Sequence, residues 1–235
     1  MNRIQSHLKV HYVNSKKSFV IFWSIMFAIS IIGILITLYS RSKGFKGTIT
    51  INHMPAVVIF GAISGLVSYN ETLPYMLNMG ITRKSFILGF IAYNIVLSLV
   101  LSILFVLLTL WETLAYNLLG FTSQQIGHIF TGVEGVFSRA WLCFIITLAA
   151  TVIFTLIASI YYKKGMMFLF GIGALIMLIM FIPGVAAAVF RVLEYIVLYL
   201  IGDKGYPIKT FYSMVFFLAC YLIIYPLTRT SQVKR

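Results

Sequence analysis

The chain has 235 residues, of which 61% are hydrophobic and 10% are charged, and its mean hydropathy is +1.01. No soluble domain of this length has such a composition, and the apolar runs are continuous, which favours membrane-spanning helices over the alternating strands of a barrel. The formal net charge of +13 includes no dense basic cluster, so we attribute it to basic loops beside anionic lipid headgroups, with no nucleic-acid partner. The sequence therefore predicts an all-α, polytopic membrane protein with a single transmembrane domain, 1–235.

The chain begins with a polar and basic segment, 1–17, in which Ile4, Leu8 and Tyr12 recur every four residues. This spacing places one apolar stripe along a helix, and a basic amphipathic helix ahead of a span is typical of a helix that lies on the cytoplasmic membrane surface. Six apolar runs follow and are predicted to cross the membrane, because a bilayer core needs about 20 residues of helix. Their bounds are 18–39, 54–68, 86–112, 140–161, 166–182 and 211–227.

Between the fifth and sixth spans, the segment 183–208 is apolar but carries Arg191 and Glu194 near its middle. Charges at the bilayer centre cost about 2.5–3.5 kcal/mol each on insertion scales. The charges therefore favour an outer re-entrant helical hairpin over a further crossing. The alternative, in which 184–201 crosses the membrane, stays open.

The distribution of charge predicts the orientation of this six-span arrangement. Eleven of the 18 Lys and Arg residues fall in segments on one side, and seven fall on the other. Four of the five acidic residues lie on the side that is poorer in bases, and Glu71 alone lies on the richer side. The positive-inside rule then predicts a multi-pass protein of the cell (cytoplasmic) membrane with both termini in the cytoplasm.

The polar segment between the second and third spans, 69–85, is predicted to be a short cytoplasmic helix on the membrane surface. A compact helix in that position is what a membrane channel needs if a soluble partner is to bind it. Glu71 there has two interpretations that are compatible: it contacts a basic residue of the partner, or it complements the dipole at a helix N-terminus.

Taken together, these features resemble the permease subunits of type-two ATP-binding-cassette exporters, in the short six-span form of low-GC Gram-positive bacteria. The likeness is carried by the amphipathic N-terminal helix, by the apolar hairpin after the fifth span, and by the loop from Asn70 to Phe86. That loop joins an acid, an apolar helix, a glycine, a Thr-Arg-Lys run and an aromatic residue. The order of the predicted helices is similar over the whole chain, whereas the similarity of sequence motif is confined to this loop.

The resemblance implies that the chain is half of a translocation path. A second copy or a homologous permease completes the path, and a cognate ATPase subunit binds the helix between spans two and three. It further implies export of an amphipathic or peptide-like substrate, such as an antimicrobial peptide. The residues that it assigns to ATPase coupling are Glu71, Leu73, Tyr75, Met76, Leu77 and Arg83.

No phosphate-binding loop of the G-x-x-x-x-G-K-[ST] type occurs in the sequence. ATP hydrolysis, with its ATP and magnesium, is therefore expected in the partner subunit. This chain is expected to be no enzyme and to hold no cofactor of its own. The runner-up interpretation is a secondary transporter or an immunity-type membrane protein that works without an ATPase, and a membrane-embedded enzyme ranks third.

The small residues Gly61 and Gly65 are predicted to let another helix approach closely, either within the subunit or at the seam between two copies. Cys143 and Cys220 fall inside apolar runs and are interpreted as small buried hydrophobic residues.

Two further polar features lie near the predicted outer side. His53 and His128 have no second ligand at a usable spacing, so the sequence predicts no metal site. Glu112, beside Trp111, is interpreted as an acid at the membrane interface next to an aromatic anchor, with an acid that faces the substrate as the alternative.

Overall fold

The computed structural model describes residues 3–44, 51–120, 135–168, 170–171, 173–174, 191 and 206–230. Side chains are described from residue 15 onward in the first helix and over 215–229 in the last. Over these ranges the regular structure is α-helix and no strand occurs, as the sequence predicts. The long helices are α1 (Arg3–Ser42), α2 (Met54–Asn78), α3 (Arg83–Leu118), α4 (Val136–Lys164) and α5 (Tyr206–Thr230).

Four segments are long and apolar enough to cross a membrane, namely Ser15–Ser42, Met54–Asn78, Arg83–Leu118 and Val136–Lys164. They contain the first four predicted spans, so the membrane-protein prediction agrees with the fold. In α5 the apolar portion whose side chains are described is Val215–Arg229. Most of the predicted fifth span, 166–182, and of the outer hairpin, 183–208, lies outside the described residues.

Two helices continue past the boundaries that the sequence suggests. α1 is unbroken from Arg3 to Ser42, so the amphipathic segment and the first span belong to one helix. α2 does not end at Ser68 but runs on to Asn78. The helix continues because Tyr69, Leu73 and Met76 keep helical spacing and bury their side chains in the core. A separate helix over 69–85 is therefore replaced by the last turns of α2, a tight turn and the start of α3.

The closest packing between α2 and α4 depends on two glycines. A Cβ atom on Gly65 would lie 2.6 Å from the carbonyl oxygen of Thr151 and 3.2 Å from its Cα atom. A Cβ atom on Gly61 would lie 2.7 Å from the methyl carbon of Thr147. Both glycines thus allow α2 to approach α4 of the same chain, which is the use of small residues expected between membrane helices.

The face of α4 that meets these glycines carries hydroxyl residues four positions apart, all of them buried: Thr147, Thr151, Thr155 and Ser159. Three of the hydroxyls donate to backbone carbonyls of the preceding turn of α4, at 2.7–2.8 Å. This internal bonding satisfies the three hydroxyl protons within α4, and the hydroxyl of Thr155 also accepts from the side-chain amide of Asn94 on α3 at 3.4 Å. A polar stripe can therefore lie in the centre of an apolar bundle at little cost.

Contacts between helix ends define the two ends of the bundle. At one end the hydroxyl of Tyr69 lies 2.8 Å from that of Thr228, and the guanidinium of Arg83 donates to the carbonyl of Arg229 at 3.2 Å. This basic end holds the C-terminal ends of α2, α4 and α5 and the N-terminal end of α3. Its described basic residues are Arg83, Lys84, Lys163, Lys164 and Arg229.

The distal end is fixed by Arg41 at the end of α1, whose guanidinium donates to the carbonyl of Leu119 just after α3 at 2.7 Å. In the N-terminal half of α1, the hydroxyl of Ser15 lies 3.3 Å from that of Tyr93 on α3. α1 therefore starts toward the basic end, and α5 finishes there. α4 ends at the basic end of the bundle, whereas α5 begins at the distal end.

Candidate functional site

The segment predicted to bind a partner forms the corner between α2 and α3, which we define as residues 71–83. Gly80 has a φ of 77°, a left-handed conformation that favours glycine. The amide of Ile81 donates to the carbonyl of Met76 at 3.1 Å, and the amide of Gly80 donates to that of Leu77 at 3.0 Å. This is the bonding pattern of the Schellman motif, which satisfies the last carbonyls of a helix. The glycine of the sequence motif therefore ends α2.

The next helix starts at once on the other side of the turn. Thr82 is extended, with φ of −69° and ψ of 145°, and its hydroxyl accepts a bond from the amide of Ser85 at 3.3 Å. A threonine in this position is a favoured N-cap, because it satisfies one free amide of the first turn. The chain thus reverses within a few residues, and the corner is a defined structure with both helix ends capped.

Aromatic packing holds the corner against the rest of the bundle. The ring of Tyr69 packs edge-on against Phe86 and Phe90, with centroids 5.8 and 5.7 Å apart, and those two rings stack at 5.6 Å. All three side chains are buried. The hydroxyl of Tyr69 also reaches Thr228 of α5. The corner is therefore supported by α2, α3 and α5 together.

The residues predicted to contact a partner differ in how exposed they are. Leu73 and Met76 are buried in the protein's own core and offer no surface to a partner. Leu77 is half-buried and packs against the same core. Their apolar side chains, which the resemblance assigns to ATPase coupling, pack in the core at the end of α2. The reason is that Tyr69, Leu73 and Met76 belong to one cluster of buried side chains that also includes Phe86 and Phe90 of α3.

The surface that remains available at the corner is small and mixed in character. Tyr75 is 52% exposed and Met79 is 51% exposed, so both place large apolar groups outside the core. Glu71 and Asn78 are also exposed. Arg83 is partly buried and is held at the carbonyl of Arg229. Glu71 and Tyr75 are thus one turn apart on α2, Asn78 and Met79 follow on the next turn, and Arg83 lies across the tight turn at the start of α3.

The charge around the corner is strongly positive. Of the two acidic residues in the part of the chain that the structure describes, Glu71 lies at the basic end and Glu112 lies near the distal end. The exposed Lys84 follows Arg83 in the first turn of α3. A soluble partner that binds at the corner therefore meets one acidic side chain, Glu71, among several basic ones. The excess of positive charge favours a partner surface of net negative charge.

A second polar cluster lies toward the distal end and joins three helices. The Nε2 atom of His53, the residue that precedes α2, lies 2.6 Å from the Oε1 atom of Glu112 on α3 and 3.0 Å from the hydroxyl of Ser30 on α1. His53 is 2% exposed and Glu112 is 16% exposed. The sequence reasoning missed this pairing because the two residues are separated by the whole of α2 and most of α3. Glu112 thus has a specific partner in addition to its aromatic neighbour.

The other residues that the sequence pointed to do not come together as a site in the described parts of the chain. Cys143 and Cys220 are buried and form no disulfide. No group of three or more His, Cys, Asp or Glu side chains in metal-binding proximity occurs in the described residues. Arg191 is exposed, and Glu194 and His128 lie outside the described residues.

No family model matches the chain, and neither a curated protein nor a solved structure matches it. A functional assignment therefore depends on the geometry of this bundle and on the sequence resemblance.

Proposed function

We propose that the chain is a membrane-spanning permease subunit of an ATP-driven exporter, and that a separate ATPase subunit binds it at the α2–α3 corner. One observation carries the proposal: the corner presents Tyr75 and Met79 to the outside while its own core holds it rigid. Large apolar side chains on a well-supported corner are typical anchors of a protein interface. An ATPase that changes shape can transmit force only through such a rigid contact.

The position of the corner relative to the membrane supports a soluble partner. The contact between Ser15 and Tyr93 places Lys16 and Lys17 of α1 close to the level of Tyr93. Arg83 lies ten residues earlier in α3, which is about 15 Å along the helix at 1.5 Å per residue. Exposed lysines at the end of a membrane span commonly reach the lipid headgroups, so we place Lys16 and Lys17 at the headgroup level. The corner then extends beyond the membrane surface, where a soluble protein can reach it.

The other parts of the proposal follow from the resemblance. Two permease copies, or this chain and a homologous permease, enclose the path, and lipid covers the exposed apolar faces. An amphipathic or peptide-like molecule is the proposed substrate. ATP and magnesium bind in the ATPase subunit, and this chain supplies the path.

Purification tests the proposal directly. The full chain, tagged and expressed at its native level in its own cell, should be purified in a mild detergent and reconstituted into nanodiscs. We expect an ATP-binding-cassette ATPase in a fixed ratio to the permease, and ATP hydrolysis by the reconstituted complex. A chain that transports its substrate after reconstitution with no ATPase present would overturn the proposal.

The helix directions give a prediction for topology. α1 starts toward the end of the bundle where α5 finishes, so reporters placed before Met1 and after Arg235 should report the same side of the membrane. The proposed orientation makes that side cytoplasmic, by the positive-inside rule. A reporter inserted after Gly120, at the distal end, is the control and should report the outer side. Opposite sides for the two termini would contradict the bundle arrangement.

The His53–Glu112 pair favours a second candidate function, secondary transport without an ATPase. Ionisable residues buried among membrane helices often mark ion or proton pathways. Under this alternative the reconstituted chain alone would move its substrate when a pH gradient is applied. The purification described above separates the two candidates, because only the exporter depends on the second subunit.

A further inference from the structure

An apolar groove on the side of the bundle is lined by residues of α3, α4 and α5. It encloses about 660 Å³, and its walls are apolar and aromatic side chains such as Leu88 and Ile95 of α3, Phe144 of α4 and Leu222 of α5. Sites of this volume and character typically take a largely apolar ligand that a few polar groups orient. The residues of the α2–α3 corner do not line the groove, so it is separate from the proposed ATPase contact.

The groove carries a positive charge at one end. Among the described residues that line it, Lys84 is the charged one, and it lies in the first turn of α3 at the basic end of the bundle. Its side chain is exposed and forms no ion pair with either of the described acids, Glu71 and Glu112. A ligand in the groove therefore meets apolar walls along its length and an ammonium group at its end. This arrangement is complementary to an apolar chain that ends in an acidic group.

The length of the groove fits one hydrocarbon chain. On α3 its lining residues extend from Lys84 to Ile95, eleven residues apart, which is about 16 Å along the helix. One leaflet of a bilayer core, in which one layer of acyl chains lies, is about 15 Å thick, half of the full core. An acyl chain of ordinary length therefore reaches from the ammonium group to the far end of the α3 wall.

The groove also crosses the level at which we place the lipid headgroups. That level passes through Tyr93 of α3, which lies between the lining residues Ile91 and Ile95. Leu88 is 56% exposed and lies five residues to the cytoplasmic side of Tyr93, about 8 Å along the helix. Bilayer chains do not cover an apolar side chain in that position, so this part of the groove calls for a ligand of its own.

We propose that the groove binds a single-chain acidic amphiphile, whose hydrocarbon chain lies between α3 and α5 and whose anionic head group contacts Lys84. A zwitterionic amphiphile is the poorer ligand, because its cationic group is repelled by the ammonium group. The placement of the site at the cytoplasmic membrane surface rests on the proposed function. Binding itself requires this chain alone and takes place whether or not an ATPase subunit is present.

The test measures binding to the full chain in nanodiscs without any ATPase. The probe is hexadecyl phosphate with a photoreactive diazirine in its chain, and mass spectrometry maps the residues that it labels. We expect saturable labelling at Leu88, Ile91 and Leu222. Unlabelled hexadecyl phosphate should compete roughly three- to tenfold better than hexadecylphosphocholine, which has the same chain and phosphate but an added cation, because one contact between charged groups differs.

Three variants test the parts of the site separately. Lys84→Gln should abolish the preference for the acidic competitor while the chain still labels the groove. Leu88→Trp places a large ring in the groove and should prevent labelling. Leu107→Trp is its matched control, because Leu107 is also on α3 and 54% exposed but does not line the groove. The Tm of each variant shows that it is folded.

The other possible occupants of the groove give different results. Absence of saturable labelling would show that another segment of this chain or bulk lipid covers the groove, and would overturn the proposal. Leu222→Cys, in a chain with Cys143 and Cys220 replaced by Ala, would form a disulfide-linked dimer if a second copy covered the groove, which would overturn it as well. Equal competition by the two amphiphiles, or full labelling of a folded Leu88→Trp variant, would have the same consequence. A chain that binds the acidic amphiphile but never co-purifies with an ATPase would support this site while contradicting the proposed exporter.

Discussion

Gly65→Leu is expected to destabilise the bundle strongly. The Cβ atom would lie 2.6 Å from a backbone oxygen of α4 and 3.2 Å from a backbone Cα atom, so relief requires the two helices to separate. Overpacking of a core typically costs about 1–3 kcal/mol, and occasionally more. Because the leucine side chain is branched and would meet backbone atoms, we expect its cost to lie at the top of that range. The measurement is the fraction of monodisperse protein after detergent extraction, together with its Tm.

Two comparisons show whether the effect comes from this contact. Gly61→Ala should be milder than Gly65→Ala, because a Cβ atom at Gly61 would meet the methyl group of Thr147, a side-chain atom that can move. Gly171→Leu is the matched control, since a Cβ atom at Gly171 meets no atom of the described residues within 4 Å. Wild-type yield and Tm in Gly65→Leu would show that α2 and α4 do not pack as the structure has them.

The glycine pair illustrates what the sequence can predict. Gly61 and Gly65 stand four residues apart in an apolar helix, and that spacing alone indicates one face that another helix can approach. The sequence left open which helix approaches. The choice of α4 depends on the stripe of Thr151 and its neighbours, whose position relative to α2 is set by the order of the whole bundle.

The end of α2 shows why a polarity change is a poor sign of a helix boundary. Hydropathy falls at Ser68, which predicts the end of the second span there, but backbone helicity depends on hydrogen bonds and on helix-ending residues. The residue that ends this helix is Gly80, because it takes the left-handed conformation of the Schellman turn. Pro74, inside α2, does not end it.

The distal cluster could not be predicted from the sequence for a different reason. His53 and Glu112 are 59 residues apart, and their contact depends on the antiparallel packing of α2 and α3. A histidine directly before a predicted span and an acid late in another span are the signals that were present. They become a pair only once the start of α2 is known to lie beside Glu112 on α3.

The contacts at the corner lead to the second large expected effect. Of the apolar residues that the resemblance assigns to ATPase coupling, Leu73 and Met76 belong to the core, whereas Tyr75 is exposed, as is the neighbouring Met79. The double variant Tyr75→Glu, Met79→Glu places two carboxylates on the exposed surface and leaves the core unchanged. We expect it to fold and insert normally, and to weaken binding of the ATPase subunit at least about tenfold, as for loss of interface anchors worth about 2 kcal/mol.

Two control variants separate partner binding from folding. Leu118→Glu changes a residue that is also exposed, at the distal end of α3, and should leave ATPase binding unchanged. Met76→Glu buries a charge in the core beside Tyr69 and Leu73, so it should lower the yield of folded protein, in contrast to the surface variant.

The measurements on the surface variant are co-purification of the ATPase, the affinity of the ATPase for the permease in nanodiscs, and the permease Tm. Because the side chains of Tyr75 and Met79 lie outside the core, loss of binding with an unchanged Tm identifies the corner as the docking surface. Full ATPase binding by a well-folded Tyr75→Glu, Met79→Glu variant would remove the corner from the proposed mechanism.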